Sequence, residues 1–395
     1  MLTGKTIVLG VTGSIAAYKI ANLASMLVKL NADVHVIMTQ NATKFITPMT
    51  FETLTNNKCI VDTFDRNFSF DVKHVSLAKR GDLFMVAPCT ANVIGKVASG
   101  ICDDMLTTTI MATKAPVLFA PAMNTGMWEN PILQDNLQKL QRFGYHIIQP
   151  IVGRLACGDT GSGKMPSEET LLEQILLYLA KKKDLRGKRI LVTAGPTQEA
   201  IDPVRFITNH SSGKMGYAIA KMAVLRGAEV TLISGPVNIQ PFAGIEKVDV
   251  KSAQDMFDAV THRSAVSDII IMCSAVADYR PAEYSEQKVK KQDGAMTIPL
   301  ERTQDILGWL GEHKREGQIL VGFSMETENL IENSRAKLLK KHADVICANS
   351  ISGDQTGFAV DTNKVTLITP DATEELPLCS KEETADRILD FLCIS

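Results

Sequence analysis

The chain starts the same way twice. Residues 4–10, Gly-Lys-Thr-Ile-Val-Leu-Gly, and residues 187–195, Gly-Lys-Arg-Ile-Leu-Val-Thr-Ala-Gly, each run a short apolar strand into glycine, then into a loop and a helix. In an α/β protein this junction aims backbone N–H groups and a helix N-terminus at whatever anion lies beyond the strand. Two such junctions predict two anion sites, and with them two chemistries in one chain.

At 395 residues the chain exceeds one ordinary domain, and the second junction sets the expected division at 1–183 and 184–395. Strands are expected at 7–9, 34–38, 83–87, 117–120 and 145–148, then at 190–193, 230–234, 269–273, 319–323 and 345–348, with a late strand at 364–368. Amphipathic stretches at 15–30, 92–98, 132–142, 167–179, 213–226, 253–263, 304–313 and 328–341 predict helices. Strands that are apolar throughout, alternating with helices, predict an α/β protein whose parallel sheets are covered on both faces. Residues 150–166 read as a long glycine-rich loop and 181–189 as a solvated basic linker.

A net charge of −2 and a pI near 6.4 give no support to nucleic-acid or membrane-surface binding. No apolar run approaches the roughly 18 residues of a membrane span. Residues 1–18 are cut by Gly10 and Gly13 and read as strand, loop and helix, not as a signal peptide. Eight cysteines without a C-x-x-C pair fit a reduced compartment, so the cytoplasm is expected.

The first loop, Gly10-Val11-Thr12-Gly13-Ser14-Ile15-Ala16, lacks the G-x-G-x-x-G spacing, and no acidic residue ends the second strand. Its amides and the hydroxyls of Thr12, Ser14 and Thr39 suit one phosphate monoester, as in FMN, better than a dinucleotide; a purely structural turn is the other reading. Residues 158–164, Gly-Asp-Thr-Gly-Ser-Gly-Lys, imitate a P-loop, but Met165 stands where a hydroxyl must hold Mg²⁺. Pro121-Ala122-Met123-Asn124-Thr125-Gly126-Met127-Trp128 follows a strand at a carboxyl edge, where α/β sheets place ligands; packing of Trp128 on the core is the structural alternative. His74 taken alone reads as a structural or surface histidine. Residues 202–216 crowd Asn209, Ser211, Ser212, Gly213 and Lys214 before a helix, as an anion site or as a simple cap. Lys288-Val289-Lys290-Lys291 would be a solvated charge run, except that it follows Ala275-Val276-Ala277-Asp278-Tyr279-Arg280 at a strand end.

Together, residues 121–128, Ala156-Cys157-Gly158-Asp159, 209–216, 275–280 and 288–291 resemble, over nearly the whole chain, the bifunctional coenzyme A biosynthesis proteins that join phosphopantothenoylcysteine decarboxylase to phosphopantothenate–cysteine ligase. The resemblance implies two three-layer α/β domains: a flavodoxin-like, FMN-binding decarboxylase and a Rossmann-like, CTP-dependent ligase. It implies 4′-phosphopantothenate, cysteine and CTP as substrates, Mg²⁺ on the triphosphate, and a homo-oligomer with trimeric decarboxylase and dimeric ligase contacts.

By the same resemblance His74 handles the substrate thiol, Asn124 orients its carboxylate and amide, and Cys157 is the acid on a closing lid. FMN contacts fall on Gly13, Ser14, Thr39, Thr90 and Asn92. Hydride transfer from the CH₂–SH group to the flavin makes a thioaldehyde, which accepts the electrons released as CO₂ leaves. In the ligase, Asn209 positions an acyl-cytidylate and Lys288 assists cysteine attack or the departing CMP. Asp278, Lys288, Phe323, Lys337 and Lys341 contact the nucleotide, with Asp278 also the Mg²⁺ partner; Asp305 belongs to a weaker string. That string, Thr303-Gln304-Asp305-Ile306, departs from an expected N-P-D-I, Lys164 stands where arginine is common, and Cys89 and Ser324-Met325 are lesser departures. A flavoprotein decarboxylating another C-terminal cysteine and a flavin-binding regulatory protein are the competing readings; the presence of His74, Asn124, Cys157, Asn209 and Lys288 together weighs against both.

Overall fold

The computed structural model describes residues 1–64, 73–156, 158–290, 296–326, 328–350 and 360–394. It falls into two units, Met1–Lys181 and Lys182–Ser395.

In the first unit β1 (Thr6–Val11), β2 (Asp33–Met38), β3 (Leu83–Cys89), β4 (Val117–Pro121) and β5 (His146–Ile147) form a five-stranded parallel sheet in the order β2-β1-β3-β4-β5. Every residue of β1, β3 and β4 is buried, which is why these strands lack polar alternation. The helix Ala17–Lys29 buries Ala17, Ile20, Leu23, Ala24 and Leu27, a single face at helical spacing. On the other side Phe84, Phe119, Ile94, Ile110 and Leu137 share a core. Each such side chain removed from water contributes about 1.5–3 kcal/mol.

The expected loop at 150–166 is instead an antiparallel hairpin of β6 (Ile151–Arg154) and β7 (Thr160–Lys164). Its apolar content is low because it covers the 123–125 segment and not the core, so periodicity could not reveal it.

The second unit builds an eight-stranded sheet in the order β12-β11-β8-β13-β16-β17-β19-β20. The parallel strands are β8 (Arg189–Ala194), β11 (Glu229–Ser234), β12 (Ile245–Asp249), β13 (Ile269–Met272), β16 (Ile319–Glu326) and β17 (Val345–Ser350). The late strand, β19 (Val365–Ile368), pairs antiparallel with both β17 and β20 (Thr373–Glu375). Short pairs complete the unit: β9 (Gln198–Ala200) with β10 (Phe206–Thr208), β14 (Tyr279–Pro281) with β15 (Leu300–Arg302), and β18 (Thr362–Asn363) with β21 (Cys379–Ser380). Ile233, Met256, Leu320, Leu338 and Ile346 are central to its core.

The basic run at 181–189 is only partly a solvated linker. Lys182, Arg186, Lys188 and Arg189 are exposed, but Lys183 donates to the Leu225 carbonyl at 2.5 Å and Asp184 pairs with Arg226 at 2.7 Å. Arg226, 3% exposed, also meets Asp390 at 2.7 Å and Asp386 at 3.6 Å on the last helix, Lys381–Ile394. A buried guanidinium needs this many carboxylates to offset its desolvation, and the arrangement ties the first and last segments of the second unit together. Of the cysteines, Cys59, Cys89 and Cys347 are buried as small core residues, while Cys102 and Cys393 are exposed. Among the described residues no helix is long and apolar enough to cross a membrane.

Candidate active sites

In the first unit the winding reverses between β1 and β3, so the loops leaving their carboxyl ends diverge and open a crevice. Thr12 holds its walls together. Its buried Oγ1 donates to the Pro88 carbonyl at 2.7 Å and accepts from Thr90 N–H at 3.1 Å. The Thr12 hydroxyl is thus consumed inside the fold, which removes it from the phosphate-binding set. Gly13 approaches the next loop so closely that a Cβ would come within 2.6 Å of Asn41 Cβ. Thr39 is tied into the same cluster, its N–H donating to the Val11 carbonyl at 3.0 Å and its Oγ1 accepting from Ala42 N–H at 3.3 Å. Ser14 accepts from Ala16 N–H at 3.3 Å just before one helix. Thr90 is the N-cap residue of another helix, Ala91–Ala98, with Asn92 exposed in its first turn. Two helix N-termini and a tight Gly13 approach at one sheet edge suit a small phosphate monoester.

Asn124 caps the short helix Thr125–Trp128, accepting from Gly126 N–H at 2.8 Å, while its Nδ2 donates to Asp159 Oδ2 at 3.3 Å. The hairpin lies directly against it. Met123 N–H donates to the Gly163 carbonyl at 3.0 Å and Thr125 Oγ1 to the Ser162 carbonyl at 2.9 Å. Gly163 has φ of +115°, and a Cβ there would collide with the Met123 carbonyl oxygen. Of the glycines that imitate a P-loop, Gly163 therefore serves close backbone approach and Gly161 close approach to the Thr125 side chain. Trp128 also packs on the core, as the structural reading of the 121–128 string expects. Cys157 lies outside the described residues. His74 is half-buried in the first turn of Lys73–Arg80, and among the described residues no hydrogen bond joins it to Asn124.

The second unit reverses its winding between β8 and β13. Here Thr193 stitches the crevice: its Oγ1 donates to Ser274 Oγ at 2.8 Å and accepts from Cys273 N–H and Ser274 N–H, both at 3.1 Å. Thr197 Oγ1 accepts from Ala277 N–H at 3.0 Å. Between β8 and the helix Lys214–Leu225, the β9–β10 hairpin carries the chain outward and back, delivering Asn209. Asn209 Nδ2 donates to the Val276 and Ala275 carbonyls at 3.0 and 3.4 Å. Asn209 is thus no helix cap; the N-cap position is Gly213, and Ser211 Oγ accepts from Gly213 N–H at 3.3 Å.

Two cavities of about 540 Å³ each flank this edge. One is lined by Asn209, Gly213, Lys214, Cys273, Asn363 and Lys381 among others. The other is lined by Thr303, Asp305, Ile306, Lys337 and Lys341 among others. Ser274, Asp278 and Phe323 wall both. Lys337 donates to the Phe323 carbonyl at 2.8 Å, and burial pushes its ammonium below the usual lysine range. Lys341 pairs with Asp305, which also accepts from Gly308 N–H at 3.0 Å. Burial opposes ionisation of Asp305, but the Lys341 and Gly308 bonds outweigh it and hold its carboxyl below the usual range. In the departing string, Thr303 Oγ1 donates to the Ala277 carbonyl at 2.6 Å, anchoring the loop beside Asp278.

Lys288 is exposed and does not line either cavity. Its neighbour Val289 is pinned, N–H donating to Asp202 Oδ2 at 3.1 Å and carbonyl accepting from Arg205 at 2.5 Å. Lys291 lies outside the described residues. Among the described residues no group of three or more His, Cys, Asp or Glu side chains could hold a metal. Thr193 and Lys381 escaped sequence reasoning, because isolated polar residues carry no periodic or spacing signal.

Residues 1–179 match the Flavoprotein family and residues 185–394 the DNA/pantothenate metabolism flavoprotein C-terminal domain. The Coenzyme A biosynthesis bifunctional protein CoaBC of Bacillus subtilis is 47% identical over 393 residues, spanning 98% of this chain and 97% of the relative. Those of Vibrio vulnificus (strain YJ016) and Vibrio cholerae are 44% and 43% identical, spanning 98% and 99% of this chain and 97% and 98% of theirs. The chain thus belongs to the family of bifunctional coenzyme A biosynthesis proteins, with a flavoprotein unit preceding a pantothenate-metabolism unit.

Proposed function

We propose that the second unit ligates cysteine to 4′-phosphopantothenate with CTP and Mg²⁺, and that the first decarboxylates the product to 4′-phosphopantetheine with FMN. The observation that carries the ligase reading is the wall shared by the two cavities. A nucleotide held by Lys337, Lys341 and Asp305 would meet, across Asp278 and Phe323, an acyl group positioned by Asn209. Both Nδ2 hydrogens of Asn209 are taken by backbone carbonyls, so Oδ1 is the atom it presents to the acyl-cytidylate. Lys288 would act from the segment anchored through Val289, stabilising charge as CMP leaves.

In the first unit, Gly13, Ser14, Thr39, Thr90 and Asn92 would hold FMN, which supplies reversible hydride acceptance from the substrate's CH₂–SH carbon. Asn124, clamped between Gly126 N–H and Asp159, would orient the carboxylate that departs as CO₂. Cys157 would return the proton to carbon, and His74 would manage the thiol proton. The protein would work in the cytoplasm as a homo-oligomer, through trimeric contacts of the first unit and dimeric contacts of the second.

The test supplies phosphopantothenate, cysteine, CTP and Mg²⁺ and follows CMP and CO₂ together. Both products are expected. CMP without CO₂ would remove the decarboxylase assignment, and neither would remove both.

A further inference from the structure

The cavity lined by Lys337 and Lys341 contains a polar side chain outside every role assigned above. Gln304 lines it between Thr303 and Asp305, and among the described lining residues it carries the one carboxamide. The residue is exposed and makes no hydrogen bond among the described residues. It stands at the second position of the string that departs from the expected N-P-D-I. A proline there would bring neither a donor nor an acceptor on its side chain.

Both neighbours of Gln304 are fixed. Thr303 N–H donates to the Asp278 carbonyl at 3.0 Å and its Oγ1 to the Ala277 carbonyl at 2.6 Å. The Asp305 side chain accepts from Gly308 N–H at 3.0 Å and pairs with Lys341, and its carbonyl accepts from Trp309 N–H at 2.9 Å. The carboxamide thus projects from a backbone already held, and binding has only its own side-chain torsions to order. Other polar groups of the cavity are engaged within the fold: Lys337 donates to the Phe323 carbonyl at 2.8 Å, and Ser274 Oγ accepts from Thr193 at 2.8 Å. Lysines offer only donors and carboxylates only acceptors, whereas a nucleobase edge sets a donor beside an acceptor. A carboxamide matches that edge with both of its polar atoms.

We infer that Gln304 reads the nucleobase, its carboxamide pairing with the Watson–Crick edge of a pyrimidine held in this cavity. Oε1 accepts from the 4-amino group of cytosine while Nε2 donates to N3. Turned over, the same carboxamide donates to O4 of uracil and accepts from its N3–H. Gln304 therefore supplies affinity for a pyrimidine edge and tolerates either substituent at C4. The inference rests on the ligase reading and specifies which side chain of its nucleotide cavity meets the base.

The test compares Gln304→Ala and Gln304→Glu with the wild type in the full-length protein, with flavin content and thermal melting confirming the fold. Gln304 is exposed, so neither substitution disturbs the core. Titration calorimetry with CMP, UMP and inorganic pyrophosphate measures binding without turnover, and steady-state ligation gives KM for CTP. Loss of a neutral hydrogen-bonded contact weakens binding about three- to tenfold. Gln304→Ala is expected to weaken CMP by that factor and to raise KM for CTP equally, leaving pyrophosphate binding and decarboxylation unchanged. Gln304→Glu removes the donor and keeps the acceptor, so it still accepts from the 4-amino group but repels O4 of uracil. The preference for CMP over UMP should then rise by about threefold or more over the wild type, a change that a merely structural role would not produce. Unchanged CMP binding in Gln304→Ala, or an unchanged CMP-to-UMP preference in Gln304→Glu, would overturn the inference while leaving the ligase reading intact. Equal loss of CMP and pyrophosphate binding in Gln304→Ala would also overturn it, since a contact to the base leaves pyrophosphate unaffected. Absence of CMP from the wild type supplied with CTP, 4′-phosphopantothenate and cysteine would instead overturn the ligase reading, and the titrations would still decide the role of Gln304.

Discussion

Both units reverse their winding beside the strand that opens them, and both close the resulting crevice with a buried threonine. Thr12 bonds Pro88 and Thr90 in the first; Thr193 bonds Cys273 and Ser274 in the second. What differs is the chain between strand and helix. In the first unit the helix Ala17–Lys29 begins almost at once after β1. In the second, the β9–β10 hairpin intervenes before Lys214–Leu225 and brings a polar side chain, Asn209, to the adjoining cavity. The same sheet edge carries a short loop in one unit and, in the other, a longer one that puts a side chain into a cavity wall.

If that contrast holds, Asn209→Ala should have the largest effect, and only on one unit. Loss of a positioned polar group costs roughly 10²–10³-fold in rate, read as CMP release, with decarboxylation of supplied phosphopantothenoylcysteine unchanged. Equal loss of both activities would break the separation. Gly163→Val is the matching change in the first unit. It puts a side chain against the Met123 carbonyl at a φ of +115° and should displace the hairpin from Asn124. Misplacement of about 1 Å costs on the order of 10²-fold, here in CO₂ release with ligation retained.

The two threonines test the shared part of the design. Thr12→Val leaves a buried N–H and a buried carbonyl without their partner, at about 1–3 kcal/mol, and should loosen flavin retention in gel filtration. Thr193→Val should do the same to the second unit, seen as a lower melting temperature and weaker nucleotide binding. A loss of flavin from Thr193→Val would contradict the assignment of each stitch to its own crevice.

The smallest effect concerns pH. Burial works against ionisation of Asp202, but bonds from the Val204, Arg205 and Val289 N–H groups and the Arg205 side chain win, bringing its carboxyl from 3.8 to about 2. A carboxylate lowered in the folded state stabilises fully above its unfolded value and loses that contribution as pH falls through the folded one. Melting temperature should therefore drop between about pH 4 and pH 2, and Asp202→Asn should flatten that portion of the profile. The same substitution frees Val289, so ligation should weaken modestly while decarboxylation stays constant.

Much of the fold was legible in the chain. The parallel strands and long helices are carried by continuous apolar runs and by one-sided helical spacing, which are local properties. The sheet-edge strand β12 was missed because Ile245-Glu246-Lys247-Val248-Asp249 is only half covered, so its pattern resembles a loop. The β6–β7 hairpin was missed for a related reason: it is stabilised by backbone bonds to residues 123–125, and nothing in its own composition announces them.

The sites divide along the same line. Asn124, Asn209, Asp278 and the glycine loop stand in strings dense enough to be recognised without coordinates. Lys337 and Lys341 share a helix face by spacing alone, yet only the folded chain opposes them to Asp305 and Thr303 across a cavity. The sequence by itself therefore determined the two α/β units, the family and the residues that sit in contiguous motifs, because these depend on near neighbours. The tertiary structure decided that Thr12 is structural, that Gly163 of the false P-loop makes a backbone contact, and that Lys381 and Asn209 line one cavity. Those outcomes depend on pairings of residues far apart in the chain, whose partners become neighbours only when the sheet closes its loops over one edge.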